Sequence, residues 1–201
     1  MVNKLIDDIK KALDNDLYYV ALASALTLPD ICGKAEYPQE RSTKKRYVAW
    51  YNERIGKYEK NHHVNFDMPY LSGEVVYCLR CSFLHEGNPN VDNEKLVKWN
   101  TIAINRFVLI VERKNEFDIY CDISEKSTVS GQHSGAYFMN IRRICWIICE
   151  VAKEYYESNR SNFSFNFEIK DMDRISQHRP KIDVDDLLER LADPDLGKHI
   201  V

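Results

Sequence analysis

Four long segments of this 201-residue chain repeat their apolar residues every three or four positions, which is the periodicity of an amphipathic α-helix. A further segment, 102–123, is rich in β-branched and aromatic residues, and its polar centre at 112–116 has the length of a hairpin turn. The predicted helices are 3–27, 44–58, 70–86 and 134–159. The pattern therefore predicts a mainly α, α+β fold with one β-hairpin.

The composition is typical of a single globular domain. Charged residues make up 29% of the chain and the net charge is −3, which argues against a polybasic surface. Acidic residues are concentrated in a predicted C-terminal tail at 180–201. Lys4, Asp7 and Asp8 interrupt the N-terminus, so we expect no signal peptide and a cytoplasmic protein. No apolar run approaches the roughly 20 residues that cross a bilayer, which predicts no membrane partner.

The third predicted helix ends with two residues whose chemistry is suited to catalysis. His85 lies in its last turn, just before Gly87, a residue type that often ends helices. The negative end of the helix dipole favours a positive charge there, and Arg80 precedes His85 closely enough to share the same space. A proton-transferring imidazole beside a permanent cation suits work on a phosphodiester. The predicted supporting residues around the pair are Glu74, Tyr77, Cys81 and Ser82.

The Arg80-x4-His85 spacing near a helix end resembles the motif of the HEPN superfamily (higher eukaryotes and prokaryotes nucleotide-binding domain). The family usually has a polar residue after the Arg, where this chain has Cys81. The resemblance implies one up-down helical bundle over 1–201 with the hairpin inserted. It also implies a metal-independent endoribonuclease without a cofactor, acting as a homodimer whose two motifs face each other. Many members are toxins or defence effectors, so the resemblance implies an antitoxin partner as well.

A basic segment, 41–60, is the predicted contact with an RNA backbone. It holds seven basic residues against two acids, in a chain whose net charge is −3. The predicted RNA-binding residues are Lys44, Lys45, Arg46, Arg54 and Lys57. Four aromatic residues share the segment, and they either stack on bases or belong to the core. These are Tyr47, Trp50, Tyr51 and Tyr58.

Sulfur chemistry offers a rival interpretation of the same helix. Cys78, Cys81 and His85 could join Cys145 and Cys149 in a tetrahedral zinc site. Structural zinc cysteines usually lie on loops, however, and a cytoplasmic chain keeps its thiols reduced. We therefore expect reduced, metal-free cysteines that pack as small apolar residues.

Three functions remain open from the sequence. The first is an RNA-cleaving enzyme, the second a non-catalytic HEPN module that binds RNA or nucleotides, and the third a structural interaction protein. Arg80 and His85 lining one open cleft favour the first two, whereas burial of both in ion pairs favours the third. The sequence contains no Walker, Rossmann or serine-hydrolase motif that would support a different enzyme class.

Overall fold

The computed structural model describes residues 1–58, 71–90, 102–112, 126–127, 133–164, 167, 170 and 188. The chain divides into two compact units, Met1–Asn166 and Phe167–Val201. All the helices and strands given below belong to the first unit. The predicted acidic tail falls in the second unit and, apart from Leu188, lies outside the described residues. The single domain predicted over 1–201 therefore stays a prediction.

The part of the chain that the structure describes is mainly helical, as predicted. Its six α-helices are α1 (Val2–Asp14), α2 (Tyr18–Ala25), α3 (Leu28–Glu36), α4 (Thr43–Arg54), α5 (Gly73–Cys81) and α6 (Ile141–Ser158). Short 3₁₀ turns follow α4 and α6, at Gly56–Tyr58 and Arg160–Asn162. A π-helical turn, Ser82–Glu86, extends α5.

The predicted first helix, 3–27, is wrong as a single element, because the chain breaks it between α1 and α2. Asp16 adopts a left-handed conformation with φ 58°. The backbone N–H of Leu17 then donates to the carbonyl oxygen of Ala12 over 2.8 Å, and α2 begins at the next residue. Apolar residues of both helices enter one core, so the periodic pattern continues across the break. Pro29 lies in the first turn of α3, where a backbone N–H has no partner within the helix, so its absence from proline removes no hydrogen bond.

Three strands form one sheet in the order β1 (Ile102–Ile110), β3 (His133–Asn140) and β2 (Lys126–Ser127). Strand β1 confirms the first strand of the predicted hairpin, but its described partner is β3, which runs parallel to it. Strand β2 pairs antiparallel to β3. The second predicted hairpin strand, 117–123, lies outside the described residues.

The predicted helix 134–159 is wrong in its first turns, because β3 occupies them. Helix α6 begins only after Asn140, whose side-chain oxygen accepts a hydrogen bond from the backbone N–H of Arg143 over 3.4 Å. Phe138 continues the apolar stripe of α6 backwards at helical spacing, so periodicity alone does not mark the boundary. Pairing with β1 is a tertiary contact, and it decides the conformation of the segment.

Helix α4 lies at the centre of the core and packs against α3 and α5. Its aromatic residues Tyr47, Trp50 and Tyr51 are at most 2% exposed. Helix α6 contributes a second apolar stripe that includes Ile144 and Ile148, and it contacts α1, α2 and α3. The core thus fixes α3, α4 and α5 relative to one another.

Helices α3 and α4 approach each other so closely at Gly33 that no side chain fits between them. A Cβ atom at this position would lie 2.8 Å from the carbonyl oxygen of Arg46, so the backbone would have to shift. We expect Gly33→Val to lower the free energy of unfolding by about 2–3 kcal/mol, measured by urea denaturation.

Lys34→Val is the matched control, because Lys34 is the exposed neighbour on the same helix. Its cost should stay within about 0.5 kcal/mol, which is the difference in helix propensity. Equal stability of the two variants would contradict the close packing of α3 on α4.

Candidate functional site

Ser72 is the N-cap residue of helix α5. The Ser72 hydroxyl oxygen accepts a hydrogen bond from the backbone N–H of Val75 over 3.3 Å, so the helix starts later than the predicted residue 70. The backbone N–H of Gly73 donates to Asn52 Oδ1 over 2.7 Å, and Asn52 Nδ2 donates to Glu74 Oε2 over 3.3 Å. Glu74, a predicted supporting residue, therefore ties α5 to α4. It lies about 9 Å along the helix from Arg80, given a rise of about 1.5 Å per residue.

The C-terminal end of α5 changes from α-helical to π-helical geometry. Gly87 follows the π turn in the left-handed conformation with φ 58°, which confirms the predicted helix end. Residues five apart on an α-helix point about 140° away from each other, whereas a π turn aligns them. The turn accordingly places Arg80 Nη1 3.3 Å from His85 Nε2. His85 is exposed, as predicted, so the two side chains meet at the protein surface.

Arg80 is held from a third helix by a residue that the sequence analysis missed. Its Nε atom lies 2.6 Å from Asp30 Oδ2, and both side chains are largely buried. The guanidinium group also lies over the ring of Tyr77, 5.7 Å from the ring centre. Burial lowers the pKa of Arg80, but the charge and hydrogen bonding of Asp30 outweigh this effect and raise the pKa overall. Arg80 is therefore a fixed, permanent cation.

Asp30 lies near basic side chains from three elements. Burial raises the pKa of Asp30, while Arg80 on α5, Arg46 on α4 and His85 on the π turn act in the opposite direction. Arg46 is itself positioned by the carbonyl oxygen of Glu40, to which it donates. The Glu40 carboxylate also lies near Arg46, so the cluster contains two carboxylates and two guanidinium groups.

Several buried polar atoms in this cluster make no hydrogen bond. They include Asp30 Oδ1, Arg46 Nε and the hydroxyl of Tyr47. Tyr47 is completely buried, and burial, followed by the charges of Tyr51 and Asp30, raises its pKa well above the usual value. Buried polar groups usually have a hydrogen-bond partner, and ordered water molecules supply many of these partners.

The remaining supporting residues lie at different distances from the pair. Tyr77 packs its ring against Tyr47, with the ring centres 5.2 Å apart, and the pKa of Tyr77 is raised by burial and by neighbouring Cys81. Tyr77 and Cys81 therefore adjoin Arg80. Ser82 is the buried first residue of the π turn, and its carbonyl oxygen accepts a hydrogen bond from the N–H of Asn88 over 3.3 Å. Its role is to shape the turn.

The basic segment separates into two groups. Lys44, Lys45 and Lys57 are exposed, as an RNA backbone contact requires. Arg46 joins the Asp30 cluster, whereas Arg54 forms an ion pair with Glu36 over 3.2 Å and packs over the ring of Tyr155. Tyr47, Trp50 and Tyr51 belong to the core, so these three rings are not available for stacking on bases. Tyr58 is the exposed member of that aromatic set.

The alternative zinc cluster is not assembled. Cys78, Cys145 and Cys149 are buried free thiols, and Cys81 is only partly buried. Across the described residues, no three histidine, cysteine or carboxylate side chains lie where one metal ion could bind them all.

Burial makes most of these thiols unreactive, which can be tested by alkylation. It raises the pKa of Cys32 and Cys149 to about 12, and that of Cys145 further still. We expect iodoacetamide at pH 8 to modify Cys81 first among the five described cysteines, and Cys32, Cys145 and Cys149 only after denaturation. Peptide mass spectrometry locates the label. Labelling of Cys145 in the folded chain as fast as Cys81 would contradict the packing of α6.

Comparison with known proteins adds no relative, since no family model, curated protein or solved structure matches the chain. Among the described residues, none of the helices is both long and apolar enough to cross a membrane.

Proposed function

We propose that this chain is a metal-independent endoribonuclease of HEPN type, in which Arg80 and His85 cleave the RNA backbone. The observation that carries the proposal is the 3.3 Å contact between Arg80 Nη1 and His85 Nε2 at the exposed end of α5. It combines a fixed cation with a side chain that exchanges protons near neutral pH, and no metal is needed for either role.

The Arg80–His85 contact suits a general base. A guanidinium group only donates hydrogen bonds, so we assign His85 the tautomer in which Nε2 accepts from Arg80. The unprotonated nitrogen can take the proton of the RNA 2′-hydroxyl. The 2′-oxygen then forms a bond to phosphorus, and the bond from phosphorus to the 5′-oxygen breaks. The products are a 2′,3′-cyclic phosphate and a 5′-hydroxyl, which receives a proton from a second acid.

Arg80 supplies the positive charge that this reaction needs. Negative charge grows on the phosphate oxygens as the 2′-oxygen attacks, and a preorganised guanidinium group stabilises it. Asp30 holds Arg80 by its Nε atom, which leaves the Nη groups directed to the side where His85 lies. Asp30 is therefore a positioning residue in this mechanism. Arg46 adds a second positive charge to the same cluster.

A homodimer would complete the mechanism. One His85 serves either as the base or as the acid, whereas two copies of the site in one cleft supply both. Leu17, just before α2, and Val20 within it are 53% and 56% exposed, and Tyr19 of α2 contacts Phe83 in the π turn. A two-fold contact through Leu17 and Val20 would bring the two π turns together. We expect light scattering to give twice the mass of one chain, and a monomer would exclude the composite site.

A non-catalytic RNA- or nucleotide-binding module is the second candidate. The Asp30–Arg80 ion pair favours it, because part of the charge of Arg80 is neutralised within the protein. Such a module would bind RNA through Arg80 and the exposed lysines Lys44, Lys45 and Lys57 without cleaving it. Binding alone therefore does not distinguish the two candidates.

The test is an RNA-cleavage assay in EDTA with the full chain, repeated at several salt concentrations. An enzyme of this kind cleaves single-stranded RNA under these conditions, and its affinity falls as salt rises, because phosphate contacts release counterions. Salt-dependent binding without cleavage by the dimer would identify the binding module. If the chain neither binds nor cleaves RNA, the structural interaction protein is the function that remains.

A further inference from the structure

A cavity of about 470 Å³ lies beside the π turn that carries His85. Its walls include aromatic and aliphatic side chains from α2, α5, the π turn and β1, and one polar side chain from the loop after the turn. They are Tyr19, Leu79, Phe83, Phe107, Leu109 and Asn88. Cavities of this size and character are typical of small-molecule sites.

Two aromatic rings in the wall are already arranged for stacking. Tyr19 and Phe83 lie nearly parallel, with an angle of 12° between the rings and 5.8 Å between their centres. Tyr19 is 71% exposed, so much of its ring area is free to contact a ligand. Aromatic side chains in such positions bind the flat faces of nucleic-acid bases.

The cavity adjoins the stretch of helix that carries the proposed cleavage site, where it is lined by Phe83. This residue stands three positions after Arg80 and two before His85, in the same short stretch of helix. Side chains three apart on a helix have Cβ atoms about 5–6 Å from each other. A nucleotide joins its base to its phosphate through one ribose, so a ligand bound at Arg80 brings a base to this distance.

We propose that the cavity is a nucleobase subsite, which binds one unstacked base of the RNA whose phosphate lies at Arg80. The inference rests on the proposed function and names how that site selects single-stranded RNA. The base stacks on Tyr19 and Phe83, and the Asn88 side chain reaches its polar edge. Asn88 Oδ1 already accepts a hydrogen bond from the backbone N–H of Asn90 over 3.0 Å, which leaves the amide NH₂ group to donate. Duplex RNA keeps its bases stacked and cannot fill the cavity.

The test measures RNA affinity in EDTA with full-length chains that carry His85→Ala, so that no cleavage occurs. The probes are one single-stranded oligonucleotide and a series of the same RNA in which one position at a time lacks its base. We expect one position where loss of the base weakens binding about tenfold, the usual contribution of a stacked base. In Tyr19→Leu the affinity for intact RNA should fall about as much, and the abasic substitution should have no further effect.

Two variants are controls for the ring itself. Tyr19→Phe keeps the ring and should bind as the parent does. Trp146→Leu removes another exposed aromatic side chain, 60% exposed on α6, and should leave the affinity unchanged. Tyr19→Leu that binds like the parent, or an equal loss in Trp146→Leu, would overturn the subsite.

The variant Arg80→Ala distinguishes an error in the base subsite from an error in the proposed function. If Arg80→Ala weakens RNA binding while Tyr19→Leu does not, the cleavage site stands and the base subsite is wrong. If the parent chain binds no RNA at all, both are wrong.

Discussion

Replacing His85 by alanine is expected to reduce the rate of RNA cleavage by about 10²–10⁴-fold, the usual contribution of a general base. The loss should appear in the single-turnover rate, measured with saturating protein in EDTA. RNA affinity should change little, because Arg80 and the exposed lysines remain. The fold should also survive, since the His85 side chain is exposed.

Glu86→Ala is the matched control for this variant. Glu86 is the exposed neighbour of His85 on the same π turn. Its replacement tests whether any substitution in the π turn lowers the cleavage rate. Equal losses of rate in the two variants would show that the rate depends on the conformation of the turn and not on the His85 imidazole.

Replacing Arg80 by alanine is expected to lower the cleavage rate by about 10²–10³-fold and to weaken RNA binding as well. The guanidinium group contacts the phosphate both before and during the reaction, so its loss affects both quantities. Arg80→Lys keeps the charge but loses the two-pronged donor geometry. We expect it to recover much of the affinity and little of the rate. Single-turnover kinetics over a range of protein concentrations separate the two effects.

Loss of Arg80 also removes the ion-pair partner of the Asp30 carboxylate, which destabilises the fold. The double variant Arg80→Ala with Asp30→Asn removes that charge and should regain stability while remaining inactive. Arg160→Ala is a second control, because Arg160 stacks over Tyr156 at the same 5.7 Å as Arg80 over Tyr77. Full activity in Arg80→Ala, or full recovery of activity in the double variant, would contradict the role of the guanidinium group.

Local sequence patterns predict the parts of this fold whose conformation depends on neighbouring residues. Helix α4 has a periodicity that matches its burial, strand β1 is rich in β-branched and aromatic residues, and both are found within a few residues of their predicted bounds. The break at Asp16 and strand β3 are missed for a shared reason. In both places the apolar pattern of a helix continues, while a backbone turn or a partner strand determines the structure.

The candidate site also has residues that the sequence predicts and residues that it does not. The Arg80-x4-His85 spacing is visible in the sequence, and the exposure of His85 follows from its place at the helix end. Asp30 is fifty positions away from Arg80 and carries no local signal. Its role depends on the packing of α3 against α4 and of α4 against α5. The π turn is equally hidden, although it is what aligns His85 with Arg80.

The most direct measurement of the central claim is the chemistry of the RNA ends formed in EDTA, determined by mass spectrometry. The proposed mechanism predicts 2′,3′-cyclic phosphate and 5′-hydroxyl ends from the wild-type chain. It predicts that His85→Ala forms these products about 10²–10⁴-fold more slowly, and that no cleavage occurs at a position whose 2′-hydroxyl has been replaced by hydrogen. Products with 5′-phosphate ends, cleavage at the 2′-deoxy position, or undiminished cleavage by His85→Ala would contradict it.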